Sequence, residues 1–360
     1  MAPLVRLLEQ HPAIDSRVCV TAQHRHMLDD VLEVFRITPH YDLDIMQHNQ
    51  SMFGVTCRVL AGMEDVLERE KPDCILVQGD TTTTFVASLA AFYRKIPVGH
   101  VEAGLRTNDK HHPFPEEINR RLTTTLSDMH FAPTERAKDA ILAEGIASKD
   151  VYLTGNTVID ALAWTLNNSA TSKQELSSLV PVLSSAPEKL VLVTVHRRES
   201  FGEPFGNIFG AIRELALQNS SVQIVFPVHP NPNVRQPVER LLSDVPNIHL
   251  VEPLQYSHFV HLMQAANFII SDSGGIQEEA PFLGKPVLVV RERTERIEAV
   301  EAGTARLVGT NQAVILKEAS RLLHDTVAYN QMSRAANPFG DGRAAERIVE
   351  ILAERFSTKS

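Results

Sequence analysis

The sequence has few cysteines, a single tryptophan and no long hydrophobic run. The three cysteines, Cys19, Cys57 and Cys74, are far apart and match no metal-binding or redox spacing. Cys19 and Cys74 lie in apolar runs, which favours buried thiols. No apolar run approaches the roughly 20 residues that a membrane span needs, and the first residues lack the apolar core of a signal peptide. We therefore expect a cytoplasmic protein that does not interact with a membrane.

Positive charge is also in short supply. The chain has 35 Lys and Arg against 44 Asp and Glu, a formal net charge of −9. Basic residues cluster only in pairs, with no basic patch interleaved with aromatics, so we expect no nucleic-acid partner. The motif G-x-G-x-x-G occurs nowhere, which argues against a nicotinamide-dependent dehydrogenase.

What the sequence does contain is a repeated alternation of short apolar runs with helix-period stretches. The predicted strands are Arg17–Thr21, Cys74–Gln78, Val98–Val101, His130–Ala132, Tyr152–Thr154, Leu190–Val195, Gln223–Val228, Phe268–Ser271 and Val287–Val290. Most are continuously apolar, as in parallel strands buried on both faces. Repeated βα units of this kind predict doubly wound α/β sheets.

The strands form two series, and 360 residues suit two domains. The Ser-rich stretch Asn167–Glu188 between them has weak periodicity and is interpreted as the linker region. We predict an N-terminal Rossmann-like domain over 1–166 and a second over 167–336, facing each other across a cleft. Residues 337–360 are expected to form a helix that packs back on the N-terminal domain.

Ionisable or phosphate-suited residues follow six of the predicted strands. Ligands of open α/β sheets bind beyond the carboxyl ends of the strands, so these residues are candidates for a site. They are Asp80, Glu102, His196, His229, Asp272 with Ser273, and Arg291. The alternative for each one alone is an ordinary polar surface turn.

Ser273-Gly274-Gly275 follows a strand and opens a predicted helix, Gly275–Phe282. Glycines let a phosphate approach the backbone, and a helix N-terminus supplies free N–H groups. Glu278-Glu279 lies one turn further on, where a carboxylate can accept the ribose hydroxyls. The combination predicts a nucleoside-diphosphate site, and the alternative is a plain glycine-rich turn.

Two further groups of polar residues lie in the first half. Glu116 and Arg120 are spaced i, i+4 on a predicted helix, which on its own fits a surface ion pair. Asp80 precedes four threonines, Thr81–Thr84, which we expect to cap the next helix and help to orient Asp80. The alternative there is a capped helix with a solvated aspartate.

From Met1 to about Arg347 the chain resembles the non-hydrolysing UDP-N-acetylglucosamine 2-epimerases. The motifs that carry the resemblance occur in family order: TAQHR, GDTTTT, HVEAGLRT, PFPEEINR, GNTVIDAL, HRRESFG, DSGGIQEEAP, GKPVLV, TER, EAGT and NPFGDG. HVEAGLRT and DSGGIQEEAP are the most specific of them.

The resemblance implies a glycosyltransferase-B fold, interconversion of UDP-N-acetylglucosamine with UDP-N-acetylmannosamine for polysaccharide biosynthesis, and a homodimer. It implies neither a nicotinamide cofactor nor a metal. The implied catalytic residues are Asp80, Glu102, Glu116 and His196. The implied substrate-binding residues are Arg120, Phe259, Ser273, Gly274, Gly275, Glu279 and Arg296.

Bacterial relatives also bind a second UDP-N-acetylglucosamine as an allosteric activator. Gln23, Gln50, Glu116 and His229 match that site, whereas His26 and Asn49 depart from the family pattern, which leaves activation open. Ile297 replaces the proline usual in the family.

Three other functions share parts of this pattern. A UDP-sugar glycosyltransferase of the same fold would keep the Ser-Gly-Gly turn and Glu279 without needing all three carboxylates. A hydrolysing epimerase would release free N-acetylmannosamine, and a pseudoenzyme would only bind the UDP-sugar.

Family members begin with a strand and a loop resembling GTRPEAIK, whose Arg and Lys reach the substrate, whereas this text begins just after that loop. Loss of a first strand leaves backbone groups of its neighbours unpaired. The expectation is that Met1 is an internal methionine and that the chain as written folds poorly or is nearly inactive. Roughly 15 upstream residues, a short strand plus a loop, would restore both properties.

Overall fold

The computed structural model describes residues 1–22, 25–46, 51–169 and 173–357. The chain divides into two compact units, of which the first comprises Met1–Ala163 with Phe339–Ser360 and the second Trp164–Pro338. The sequence placed these borders at 166/167 and 336/337. The segment interpreted as a linker contains a helix, Lys173–Leu179, and a 3-10 helix, Pro181–Ser185.

The first unit contains six strands and most of the first seven helices. The strands are β1 Cys19–Val20, β2 Tyr41–Asp42, β3 Ile75–Gln78, β4 Val98–Val101, β5 Met129–Ala132 and β6 Val151–Leu153. The helices are α1 Ala2–Gln10, α2 Arg25–Phe35, α3 Met52–Glu70, α4 Thr82–Tyr93, α5 Glu116–Leu126, α6 Glu135–Ala143 and α7 Thr157–Asn168.

The main sheet of this unit is parallel, with the strand order β3-β4-β5-β6. Every residue of β4 and β5 is buried, as their unbroken apolar character predicts. Strands β1 and β2 pair in a separate two-stranded parallel sheet. Among the described residues, β4 is the only strand that pairs with β3.

The second unit has one six-stranded parallel sheet with helices between its strands. The strands are β7 Lys189–Thr194, β8 Val222–Pro227, β9 Ile248–Val251, β10 Phe268–Ser271, β11 Val287–Val289 and β12 Ala305–Leu307. The helices are α8 Lys173–Leu179, α9 Glu203–Gln218, α10 Pro232–Leu242, α11 Tyr256–Ala265, α12 Gly274–Phe282, α13 Ile297–Glu301, α14 Gln312–His324 and α15 Thr326–Ser333.

The strand order of this sheet is β12-β11-β10-β7-β8-β9. The chain starts at β7, moves outward through β8 and β9, and returns to the other side of β7 at β10. The order therefore reverses between β7 and β10, and ligands of such sheets bind beyond the strand ends at this reversal. His196 follows β7 by two residues and Asp272 follows β10 directly, so both lie at that point.

The chain ends in α16, Ala344–Ser357, which belongs to the first unit. Its apolar residues share one core with α1 and β5, in which Leu4, Phe131 and Ile348 are fully buried. Asp160 of α7 fixes the start of α16, because its carboxylate accepts the backbone N–H groups of Ala344 and Ala345. The C-terminal helix thus packs within the first unit.

Eight of the nine predicted strands agree with observed ones to within one residue at each end, and the first shortens to Cys19–Val20. Strands β2, β9 and β12 were missed; each has only two to four residues, and none of the three is fully buried. Cys19 and Cys74 are half-buried, and burial raises the pKa of the two thiols to about 11 and about 12. Among the described residues, no helix is both long and apolar enough to cross a membrane.

Gly104, in the turn after β4, has a positive φ of 93°, and a Cβ there would lie 2.1 Å from the carbonyl oxygen of Ala137. Gly145 has a similar φ of 89° with open space around it. We expect Gly145→Ala to lower the free energy of unfolding by about 1–2 kcal/mol through backbone strain. Gly104→Ala should cost more than about 3 kcal/mol, because backbone must move as well. Urea denaturation of both variants measures the difference, and equal losses would contradict this packing.

Candidate functional site

Two carboxylates follow neighbouring strands of the first unit, Asp80 after β3 and Glu102 after β4. Both are half-buried. Glu102 has a positive φ of 59°, a backbone conformation that non-glycine residues seldom adopt outside functional sites. Its Oε2 accepts a hydrogen bond of 3.1 Å from Nε2 of Gln78, the last residue of β3. The two strand ends are therefore cross-linked beside the two carboxylates.

Helix α5 holds Asp80 from the other side. Nε and Nη2 of Arg120 donate to Asp80 Oδ2 at 3.0 and 2.7 Å, and Asn119 Nδ2 donates to the Asp80 carbonyl at 2.9 Å. Arg120 is buried, and its partners are Asp80 and Glu117. The pair that the i, i+4 spacing predicted with Glu116 is absent, because the guanidinium turns inward to the strand end. Orientation of Asp80 therefore comes from Arg120, and the threonines contribute the helix cap, in which Thr81 Oγ1 accepts from Thr84 N.

Glu117 is a fully buried carboxylate at the base of this group. It accepts the backbone N–H groups of Thr107 and Asn108 at 2.9 and 3.1 Å, and the guanidinium groups of Arg120 and Arg121, each at 3.3 Å. Burial raises the pKa of Glu117, but the two backbone bonds and Arg121 more than compensate and lower it below its ordinary value. The 107–108 loop and Arg120 are thus anchored on one charge.

His100 of β4 fixes the backbone just before Asp80. Its Nε2 lies 2.8 Å from the carbonyl oxygen of Gly79, and the ring is fully buried. Burial lowers the pKa of His100 to about 3, so the ring is neutral at physiological pH. Because the carbonyl can only accept, Nε2 carries the proton.

In the second unit, two histidines lie at neighbouring strand ends. The rings of His196, after β7, and His229, after β8, stack with centroids 5.4 Å apart. Asp272, after β10, is fully buried, and its Oδ2 accepts the backbone N–H groups of His196 and Arg197 at 2.9 and 2.8 Å. A cavity of about 500 Å³ is lined by His196, Arg197, Arg198, Glu199, His229 and Asn231.

Ser273-Gly274-Gly275 forms the N-terminus of α12, with Ser273 as the N-cap residue. A fully buried Gln277 braces this turn: its Nε2 donates to Ser273 O at 3.0 Å, and its Oε1 accepts from Thr294 Oγ1 at 2.6 Å. Arg296 lies against the turn, since a Cβ on Gly274 would be 3.2 Å from its guanidinium carbon. Free N–H groups and a guanidinium therefore meet at one point, as anion binding requires.

Glu279 lies beside the same turn, because a Cβ on Gly275 would be 3.8 Å from its Oε2. Its Oε1 accepts a hydrogen bond of 2.7 Å from the Tyr256 hydroxyl. Burial raises the pKa of Glu279 to about 7, and the neighbouring Glu278 adds to the effect. Phe259 is half-buried one helical turn after Tyr256 on α11.

The structure positions the remaining candidates as follows. Glu116 is half-buried at the first position of α5, and His229 is exposed. Gln23 and Gln50 lie outside the described residues. Glu117, Tyr256 and Gln277 were missed as members of these groups. Their motifs contained the relevant signal, since a Glu-Glu pair or a Gln inside a buried helix needs a partner for each polar group.

Parallel sheets flanked by helices in both units, with a glycine-bearing helix N-terminus at the reversal of the second sheet, define an α/β protein of the glycosyltransferase-B class. The family model described as UDP-N-acetylglucosamine 2-epimerase matches residues 6–353. The chain belongs to the UDP-N-acetylglucosamine 2-epimerase family.

Similar proteins cover almost the whole chain. The UDP-N-acetylglucosamine 2-epimerase of Salmonella typhimurium strain LT2 is 56% identical over 355 residues, which are 98% of this chain and 94% of that protein. That of Escherichia coli K12 is 54% identical with the same coverage. The crystal structure of the Neisseria meningitidis UDP-GlcNAc 2-epimerase bound to UDP-GlcNAc is 52% identical, covers 98% of this chain and 96% of its own, and has a TM-score of 0.90.

Glu117→Gln tests the anchor of the first unit. The amide keeps the shape but cannot accept from four donors, so we expect the free energy of unfolding at pH 7 to fall by about 2–4 kcal/mol. Because the pKa of Glu117 is lowered in the folded state, its contribution is fully present above the ordinary value of 4.5 and is lost as pH falls below it. Urea denaturation at pH 7 and pH 4 should therefore show a gap that narrows with acid.

The matched control is Glu116→Gln at the preceding position of α5. It should change the free energy of unfolding by less than about 0.5 kcal/mol. A gap between wild type and Glu117→Gln that widened with acid would contradict the anchor.

Proposed function

We propose that this protein catalyses the reversible epimerisation at C2 that converts UDP-N-acetylglucosamine to UDP-N-acetylmannosamine. Family membership and the relatives' names support the reaction. The observation in the chain itself that carries the proposal is the combination of a braced Ser-Gly-Gly helix N-terminus with Glu279 in one unit and oriented carboxylates in the other.

The chemistry explains why several carboxylates are needed. The C2 proton is too weakly acidic for direct removal, so the proposed path eliminates UDP first. The C1–O bond breaks with its electron pair going to UDP, C2 gives up its proton, and a C1–C2 double bond forms. In the return step C2 is protonated from the opposite face and UDP re-forms the C1–O bond. Acid and base groups are thus required on both faces of the ring.

Asp80, Glu102 and Glu116 are the proposed groups for these proton transfers and for stabilising the oxocarbenium-like state. Asp80 is well suited to stabilise positive charge, because Arg120 and Asn119 fix its carboxylate and its backbone. Glu102 is supported by its constrained backbone and its bond from Gln78. Arg120 therefore serves the substrate by positioning Asp80, in addition to the contact that the family resemblance implies.

The UDP portion is proposed to bind to the second unit. The diphosphate would lie at Ser273, Gly274 and Gly275, where Arg296 adds a guanidinium. Glu279 would accept the ribose hydroxyls in place of the Tyr256 hydroxyl, and Phe259 would contact the uracil. His196 would stabilise the departing diphosphate. Among relatives, the Methanocaldococcus jannaschii enzyme has been solved in complex with UDP-GlcNAc and UDP.

We extend the proposal to three finer properties. Activation by a second UDP-N-acetylglucosamine is supported by His229 on the cavity wall and by the family match at Gln23, Gln50 and Glu116. A homodimer is supported by the family resemblance. A cytoplasmic location is supported by three cysteines that are all unpaired.

The decisive experiment is incubation with UDP-N-acetylglucosamine in heavy water. We expect both epimers, each with deuterium at C2, because the proton exchanges with solvent during elimination and re-addition. Proton NMR and mass spectrometry measure the label. Free N-acetylmannosamine as main product would indicate the hydrolysing reaction, transfer to an acceptor the glycosyltransferase, and binding without turnover the pseudoenzyme.

Glu279→Gln tests the ribose contact. The pKa of Glu279 is about 7 in the free protein, and ribose binding favours the carboxylate. UDP affinity should therefore be highest above pH 7 and fall about tenfold between pH 8 and pH 6. Glu279→Gln should weaken UDP binding and leave only the pH dependence of the phosphate itself. Calorimetry at both pH values measures this, and an unchanged pH dependence would contradict the assignment.

Asp80→Asn is the matched comparison in the first unit. It should lower kcat with little effect on UDP affinity, because the charge acts in the transition state. If both variants reduced kcat equally at unchanged UDP affinity, the proposed division of roles would be wrong.

A further inference from the structure

Asp272 carries one carboxylate oxygen that the structure leaves unpaired. Its Oδ2 accepts two backbone N–H groups, from His196 and Arg197. Its Oδ1 is buried with no hydrogen-bond partner among the described residues. That oxygen faces the His196 ring, with Nδ1 at 3.8 Å. Leaving a buried carboxylate oxygen unpaired is costly, so such an atom calls for a functional explanation.

The distance explains both the missing bond and how it can form. At 3.8 Å the two atoms are beyond hydrogen-bond range. Hydrogen bonds in ligand-free sites are often long and tighten only when substrate binds. His196 is half-buried on the cavity wall, whereas Asp272 is fixed by its two backbone bonds. The movable partner is therefore the imidazole.

We propose that Asp272 is a positioning residue for His196, accepting Nδ1–H when UDP-sugar binds and presenting Nε2 to the departing diphosphate. This inference rests on the proposed function and adds to it the residue that sets the tautomer and orientation of the histidine. A carboxylate behind an imidazole fixes which nitrogen carries the proton and stabilises the imidazolium.

The neighbouring charges agree with this arrangement. The pKa of His196 is lowered, mainly by burial; Asp272 raises it, while His229 and Arg197 lower it further. Arg198 and Glu199 line the same cavity. His229 Nδ1 accepts a bond of 3.1 Å from Asn231 N, so the stacked ring carries its proton on Nε2 and is neutral in this arrangement. Asp272 is thus the group that favours the imidazolium of His196 against the others.

The test uses Asp272→Asn in the full chain. The amide oxygen can replace Oδ2 and keep both backbone bonds, while the NH2 group faces Nδ1 and can only donate. The imidazole must then accept at Nδ1 and carry its proton on Nε2. We expect kcat to fall about 10- to 100-fold with a small change in KM. The kcat–pH profile should shift, since a structural role alone would leave its midpoints unchanged.

Asp160→Asn is the control variant. Asp160 is another buried carboxylate that accepts two successive backbone N–H groups, from Ala344 and Ala345, and it has no assigned role in the site. Equal thermal stability of the two variants together with near wild-type kcat for Asp160→Asn would support the proposal. An equal loss of kcat in both would overturn it.

A second measurement does not depend on activity. Nitrogen-15 NMR of the ring, assigned by comparison with His196→Gln, should show wild-type His196 protonated on Nδ1 with UDP bound, and protonated on Nε2 in Asp272→Asn. The pKa of His196 should fall in Asp272→Asn. A wild-type proton on Nε2, or the same tautomer in both proteins, would overturn the proposal. Because the wild-type spectrum alone decides, poor folding of the variant leaves the test intact.

The two proposals fail separately. Absence of epimerisation by the wild-type protein would remove the proposed function, and the NMR result would still decide whether Asp272 sets the tautomer of His196.

Discussion

A buried carboxylate holds the loop beyond the strands in each unit, and the geometry of the candidate site depends on these two charges. Glu117 holds the 107–108 loop and, through Arg120, the side chain of Asp80. Asp272 holds the two residues at the start of the loop after β7. Parallel sheets bring strand ends to one edge but leave the following backbone N–H groups without ladder partners. A buried acceptor that receives several N–H groups both satisfies them and fixes the loop.

The sequence predicts the strand ends well and the anchors poorly, for a physical reason. A buried parallel strand requires continuous apolar side chains, so Val98–Val101 and Phe268–Ser271 are visible in one sequence and match the structure residue for residue. Asp80, Glu102, His196 and Asp272 then follow by counting. An anchor such as Glu117 has no local pattern, since its donors come from loop residues ten positions away and from arginines whose direction only packing decides.

Arg120 shows how local spacing misleads. On an isolated helix, an i, i+4 pair with Glu116 gains a few tenths of a kcal/mol. The structure instead gives Arg120 two bonds to Asp80 and one to Glu117 in a buried setting. Charged hydrogen bonds strengthen where water is excluded, and an unpaired Asp80 beside a buried helix would be costly. Tertiary pairing therefore wins, and it makes the arginine part of the site.

Glu279 and Tyr256 show how a ligand site can be prepared before the ligand arrives. A buried carboxylate without a partner would pay its full desolvation cost, and the Tyr256 hydroxyl relieves it through a bond of 2.7 Å. A nucleotide ribose that bonds to Glu279 must replace that hydroxyl, so only the surplus of the new bonds over the old one contributes to affinity. A ribose offers two hydroxyls where Tyr256 offers one. The exchange is therefore favourable for a diol and close to neutral for a single hydroxyl, which makes the tyrosine a means of selecting the ribose.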